Sequence, residues 1–209
     1  GKVDLAVDLI RKAVAVAPDY AEAHYNLGAI LHDLGKLDEA AARYHRALAH
    51  QPDYAKAHFN LGNTLKELGK LDDAAASYGK ALALQPDYAK AYYNLGVVLH
   101  MLNRLDDAAA SYQRVLAIEP NYAEAHFNLG NALNDLERPD AAAASYGNAI
   151  AIRPDYAEAH NNLGNALKDL GRLDEALAHC RRALSIKPDF AEAHYNLGVL
   201  LQKLGKPDA

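Results

Sequence analysis

Apolar residues along the chain fall at helical spacing and return in the same phase every 34 residues. In residues 21–54, His24, Leu27, Gly28 and Leu31 stand at i, i+3, i+4 and i+7, which is one face of a helix. Ala40, Tyr44, Ala47 and Leu48 draw a second such face. Gly35 and Lys36 between them predict a turn, and Pro52, Asp53 and Tyr54 predict a link to the next repeat. Each repeat is therefore expected to be a helix–turn–helix, with helix A near 21–34 and helix B near 38–50.

Three residue types keep this phase independently. Pro18, Pro52, Pro86, Pro120, Pro154 and Pro188 do so, as do Gly28, Gly62, Gly96, Gly130, Gly164 and Gly198. Ala6, Ala40, Ala74, Ala108, Ala142 and Ala176 form the third series. Gly28 and Ala40 remove bulk so that helices A and B can approach closely. Tyr44, Tyr78, Tyr112 and Tyr146 are expected to fill the space toward the next repeat. One repeat cannot bury its apolar face alone, so stacking of neighbours must do it. Asp19 followed by Glu22 reads as an N-cap close to a capping box, repeated by Asn121/Glu124, Asp155/Glu158 and Asp189/Glu192. Asp53 and Asp87 keep the cap, with Lys56 and Lys90 in place of the Glu. Helix B opens on Asp38, Asp72, Asp106, Asp140 or Asp174, which complements the helix dipole. Pro139 and Pro207 stand where proline is tolerated, at a helix start.

The spacing of Leu27, Gly28, Ala40, Tyr44, Ala47 and Pro52, and its copies along essentially the whole chain, resembles the tetratricopeptide repeat. The resemblance implies an all-α, right-handed superhelical solenoid of antiparallel helix pairs that binds protein and is not an enzyme. One departure is plain: the family's aromatic at the fourth position of helix A is here His24, His58, His126, His160 and His194, with Tyr92 once. Full repeats run 21–54, 55–88, 89–122, 123–156 and 157–190. Residues 1–20 are a partial repeat (second helix only), and residues 191–209 a partial repeat (first helix only). Irregular stretches such as Glu137-Arg138-Pro139 and Met101-Leu102-Asn103 set the chain apart from an idealised array. The chain starts without Met and in mid-repeat, so the expectation is a piece of a longer array whose true N-terminus lies elsewhere.

Composition narrows the function. Half of the residues are hydrophobic (51%), enough for a substantial core, and the formal net charge is -5 without any basic run. No nucleic-acid partner is expected, since binding there rests on phosphate neutralisation. No apolar run approaches the ~18 residues of a membrane span, so no membrane insertion is expected. Cys180 is the one cysteine, which excludes an internal disulfide framework and fits a reducing, cytoplasmic location.

The resemblance implies that helix A lines a concave groove, with its fifth, sixth and ninth positions facing the partner. The sixth is Asn26, Asn60, Asn94, Asn128, Asn162 and Asn196. A carboxamide donates and accepts, so it can pair with a peptide backbone whatever the side chains are. Helices about 8–10 Å apart would offer one such rung per roughly three extended residues. The row resembles the asparagine ladder in the repeat arm of O-linked N-acetylglucosamine transferases. Two readings of it stay open: a peptide ladder, or hydrogen bonding within the scaffold. The ninth position adds Asn63, Asn131 and Asn165, interrupted by Ala29, Val97 and Val199. The fifth is Tyr25, Phe59, Tyr93, Phe127, Asn161 and Tyr195, rings that could hold a peptide or pack on the adjacent helix. The variable twelfth position (His32, Lys66, His100, Asn134, Lys168, Gln202) would set selectivity. A runner-up role is the substrate-recruiting arm of an O-GlcNAc- or O-fucose-transferase-like enzyme. In that case a nucleotide-sugar-binding α/β region would follow Ala209.

Other chemistries find little support. The repeated histidines are a full repeat apart, too far to share one metal ion, and are expected to be half-buried packing residues. Cys180 replaces the helix-B tyrosine and is expected in the core. No nucleophile elbow, phosphate loop or zinc motif is present. A clamp for acidic C-termini would need Lys at the fifth and Arg or Lys at the sixth position, where aromatics and Asn stand. The expectation is a scaffold for a protein or peptide partner, with no catalytic residue, cofactor or metal. Ala193, Leu197, Val199 and Leu201 are expected to leave apolar surface at the C-terminal end. Head-to-tail association of such uncapped ends is then expected, and a strictly monomeric mass by light scattering at millimolar protein would rule it out.

Overall fold

The computed structural model describes residues 1–205, without the side chains of residues 2–4. Those residues form twelve helices and no strand. They are α1 (Lys2–Val16), α2 (Ala21–Asp33), α3 (Leu37–His50), α4 (Ala55–Glu67), α5 (Leu71–Leu84) and α6 (Ala89–Met101), then α7 (Leu105–Ile118), α8 (Ala123–Asp135), α9 (Pro139–Ile152), α10 (Ala157–Asp169), α11 (Leu173–Ile186) and α12 (Ala191–Lys203). The expected helix bounds of the first full repeat hold to within a residue. Pro139 opens α9 as its first residue. Pro207 lies outside the described residues.

Two compact units divide the chain, Gly1–Asn103 and Arg104–Ala209. In the first, α2 pairs with α3 and α4 with α5. Each helix B also packs on the next helix A, as α3 does on α4 and α5 on α6. The second unit repeats this with the hairpins α8–α9 and α10–α11, between α7 and α12. Each unit is an all-α array of stacked hairpins.

The turn after helix A is a wrapped C-cap. Gly35 takes φ +72, and the Lys36 N–H reaches back to the Leu31 carbonyl at 2.9 Å. Gly69 and Gly171 do the same at +73 and +76. Asn103 and Glu137 hold that left-handed conformation without being glycine (φ 57 and 56). For Glu137 this costs about 1 kcal/mol.

The expected capping boxes do not form. The residue before each helix A is Tyr20, Tyr54, Tyr88, Tyr122, Tyr156 or Phe190, and none caps through its side chain. Each Asp or Asn of the pattern stands one residue too early. The linker is held from inside the helix instead. His24 Nε2 donates to the Pro18 carbonyl at 3.0 Å, and His58 to that of Pro52 at 3.0 Å. His126, His160 and His194 do likewise to Pro120, Pro154 and Pro188 at 3.0, 3.2 and 2.9 Å. A carbonyl only accepts, so each imidazole carries its proton on Nε2. This bond accounts for histidine at the family's aromatic site, and it returns wherever that histidine does.

The helix-B tyrosines have a contact within their own repeat that comes before the one toward the next. Each ring covers the glycine of its own hairpin. A Cβ on Gly28 would meet Tyr44 at 2.9 Å, one on Gly62 would meet Tyr78 at 2.6 Å, and one on Gly130 would meet Tyr146 at 2.5 Å. Those three rings are among the largest fully buried side chains. The C-terminal end differs from expectation: Ala193 and Leu201 are buried against the preceding hairpin, and Leu197 and Val199 are half-buried. On α12 the large exposed apolar side chain is Tyr195, 72% exposed.

One substitution has opposite effects at two sites. Gly62→Ala drives a methyl into the Tyr78 ring and should lower unfolding free energy by about 1–3 kcal/mol. Gly79 sits in mid-α5 with nothing within 4 Å of an added Cβ. Gly79→Ala should raise stability by about 0.5–1 kcal/mol. Urea titrations of both variants measure the difference, and equal signs would refute this packing account.

Candidate functional site

The sixth-position asparagines form a row across the A helices of each unit. In the first unit Asn26 is exposed, and Asn60 and Asn94 are half-buried. Asn60 Nδ2 donates to the Tyr25 hydroxyl at 3.1 Å. Asn94 Nδ2 donates to Asn63 Oδ1 at 2.9 Å, which also accepts from the Tyr78 hydroxyl at 2.8 Å. Burial pushes the Tyr78 hydroxyl pKa up, so it remains a protonated donor.

In the second unit Asn128 and Asn162 are half-buried, while Asn196 is buried. Asn131 Oδ1 accepts from Asn162 at 3.0 Å and from the Tyr146 hydroxyl at 2.8 Å, repeating the three-way junction of Asn63. Farther along, the junction changes. Asn161, fully buried where the other repeats place a ring, accepts from Asn196 at 2.9 Å and donates to Glu192 at 3.1 Å. Asn165 Oδ1 instead accepts from Lys168 at 3.1 Å.

The fifth-position rings stand beside this row. Tyr25, Phe59, Tyr93 and Phe127 are half-buried. Tyr25 lies 5.9 Å from Tyr44 and 4.9 Å from Tyr54, centroid to centroid. Phe59 repeats this against Tyr78 and Tyr88, and Phe127 against Tyr146 and Tyr156. Tyr25, Phe59 and Phe127 thus each join a tilted aromatic cluster and remain partly exposed. At the twelfth position His32 meets Glu67 at 3.1 Å.

On the other side of the hairpins stands a contact that sequence reasoning missed. His160 Nδ1 lies 3.0 Å from His179 Nδ1, with the rings stacked 5.2 Å apart. His160 gives its Nε2 proton to Pro154, so its Nδ1 accepts and His179 donates. The pair is 19 residues apart across a turn, a separation no helical period marks. Cys180 is fully buried against Gly164, and burial pushes its thiol up to about 11. It is a core residue, not an activated nucleophile.

Stacked helical hairpins with small residues at their closest approach define an all-α repeat solenoid. A family model described as a tetratricopeptide repeat matches residues 1–42 and 59–123, and another of that description matches 111–144. A model described as a TPR repeat matches 28–69, 130–171 and 164–205. The chain belongs to the tetratricopeptide repeat family, whose arrays are protein-interaction scaffolds and typically not catalysts. No curated protein matches the sequence. Among solved structures, YrrB, described as a TPR protein with an unusual peptide-binding site, is 26% identical over 89% of this chain and 96% of its own, with a TM-score of 0.82. MamA is 29% identical over 79% of this chain and 97% of its own, with a TM-score of 0.76. TTC0263, a thermophilic TPR protein of Thermus thermophilus, is 27% identical over 87% of this chain and 99% of its own, with a TM-score of 0.58. No described helix is long and apolar enough to cross a membrane.

Burial lowers the pKa of both His160 and His179 below the usual 6.5. The unfolded chain therefore takes up these protons first as pH falls. The contribution is fully present above the unfolded pKa and is lost progressively as pH drops from there through the lowered folded pKa. Between about pH 7.5 and about pH 5.5 the melting temperature of the wild type should fall more than that of His179→Ser. Parallel falls would clear the pair of this role.

Proposed function

We propose that the chain binds an extended segment of a partner protein along its A-helix faces. The observation that carries this reading is the recurrence of a partly exposed asparagine next in sequence to a half-buried ring, at Tyr25–Asn26, Phe59–Asn60, Tyr93–Asn94 and Phe127–Asn128. A carboxamide has two N–H donors and an oxygen, and a bond to the neighbouring repeat uses one donor. Asn26, Asn60 and Asn94 are the rungs in the first unit, and Asn128 and Asn162 in the second, with Asn196 set deeper. Tyr25, Phe59, Tyr93 and Phe127 supply apolar contact for every few residues of the segment. Asn63, Asn131 and Asn165 support the row, and His32, Lys66, His100 and Lys168 at the twelfth position tune selectivity. The likeness to YrrB favours a peptide as the occupant.

Asn26 separates a ligand-binding role from a scaffold role because it is exposed. Peptides selected by display against the wild-type chain provide the probe. Asn26→Ala should weaken them by about fivefold, one hydrogen bond's worth, with the melting temperature unchanged. Asn94→Ala should weaken them and also destabilise the fold, since it removes one of the two donors to Asn63. Full affinity in both variants would refute the ladder.

A further inference from the structure

The first unit holds a cleft of about 700 Å³ between α3 and α5, floored by α4. α3 and α5 both pack on α4 but not on each other. The floor comes from His58, Leu61 and Leu65, whereas Asn60 and Asn63 lie on another face of α4. Asp73, Ser77 and Lys80 of α5 and His45 of α3 are its polar lining.

His58 is only 7% exposed. Its Nε2 is committed to the Pro52 carbonyl, and its Nδ1 is buried without a hydrogen-bond partner. A buried acceptor left unpaired is costly and calls for explanation. Ser77 does not relieve it, because its hydroxyl donates to the Asp73 carbonyl at 2.8 Å.

Three repeats further on, the same molecule shows what completes this arrangement. There His160 stands for His58 and His179 for Ser77. The His179 ring stacks on His160 and supplies an N–H to the matching nitrogen at 3.0 Å. Repeat equivalence therefore aims His58 Nδ1 at Ser77, where a small side chain leaves the place of that ring open. Volume, an apolar floor and an unmet acceptor together meet the general requirements of a small-molecule site.

We propose that this cleft binds a small planar heteroaromatic molecule with a ring N–H, of the imidazole or indole class. The ring N–H donates to His58 Nδ1, the ring lies over Leu61 and Leu65, and Asp73 and Lys80 meet polar substituents at the rim. The site is distinct from the A-helix faces and stands or falls separately from the peptide reading.

Titration of the whole chain with indole, monitored through the imidazole nitrogen resonances of His58, tests it. Saturable binding with a shift of the His58 Nδ1 resonance is expected. Indene, the same shape without the N–H, should bind about tenfold more weakly, the worth of one buried hydrogen bond. Ser77→His, which installs the ring of the fifth repeat, should abolish binding and keep the fold. His58→Tyr, which copies Tyr92 at the equivalent place, removes the acceptor and should weaken indole to the level of indene. Absence of saturable indole binding, equal affinity for indene, or undiminished binding in a folded Ser77→His or His58→Tyr chain would each overturn the proposal.

Discussion

The close approach of helix A to helix B, with a tyrosine ring laid on a bare glycine, is the contact on which the rest depends. A hairpin this tight leaves no room for a methyl between Gly62 and Tyr78. The ring fills the space and is completely buried, so the hairpin has a fixed thickness, and stacking repeats a fixed interface. The ring also ends in a hydroxyl. From its buried seat it reaches Asn63, which in turn accepts from Asn94 of the next repeat. The polar junctions between repeats thus inherit their positions from an apolar contact within one.

In the fifth repeat that contact changes, and its surroundings change with it. Cys180 takes the tyrosine's place against Gly164, so this repeat lacks the helix-B phenol hydroxyl. Asn165 then turns to Lys168, and the link to Asn196 passes to the buried Asn161. On the opposite side, His179 closes over His160, where the second repeat has Ser77 and an open cleft. Near-identical repeats therefore carry different surfaces through a few substitutions, while the helices keep their places.

The period, the helix bounds and the glycine–tyrosine positions were legible because each depends on spacing along a single chain direction. The capping box was not. Asp19 and its counterparts fit the local signal, but the linker obeys a hydrogen bond from His24 back to Pro18, a constraint six residues long that propensity does not encode. The fate of Ala193 and Leu201 also escaped, since it depends on which side of α12 meets the preceding hairpin. For the asparagine row, position was legible and partners were not. The link from Asn94 to Asn63 joins a sixth to a ninth position, and only the tilt of one helix over another sets it.

That link bears on whether a row of scaffold bonds can also be a binding surface. A carboxamide held by its neighbour has lost most of its rotamer freedom before any ligand arrives, so a peptide that meets it has less ordering cost to overcome. The oxygen of Asn63 already accepts from two donors and has little capacity left, whereas Asn60 and Asn94 each use one N–H and keep further polar capacity. Support and spare polar capacity then fall on different members of the same network: the oxygens of Asn63 and Asn131 hold the amides of Asn94 and Asn162, and on the proposed reading those amides would meet the partner. Asn196 marks the limit of this division. At 6% exposure it is bound into the scaffold through Asn161, whereas the row stays accessible at Asn26, Asn60 and Asn94 of the first unit and at Asn128 and Asn162 of the second, the positions on which the proposed peptide reading rests.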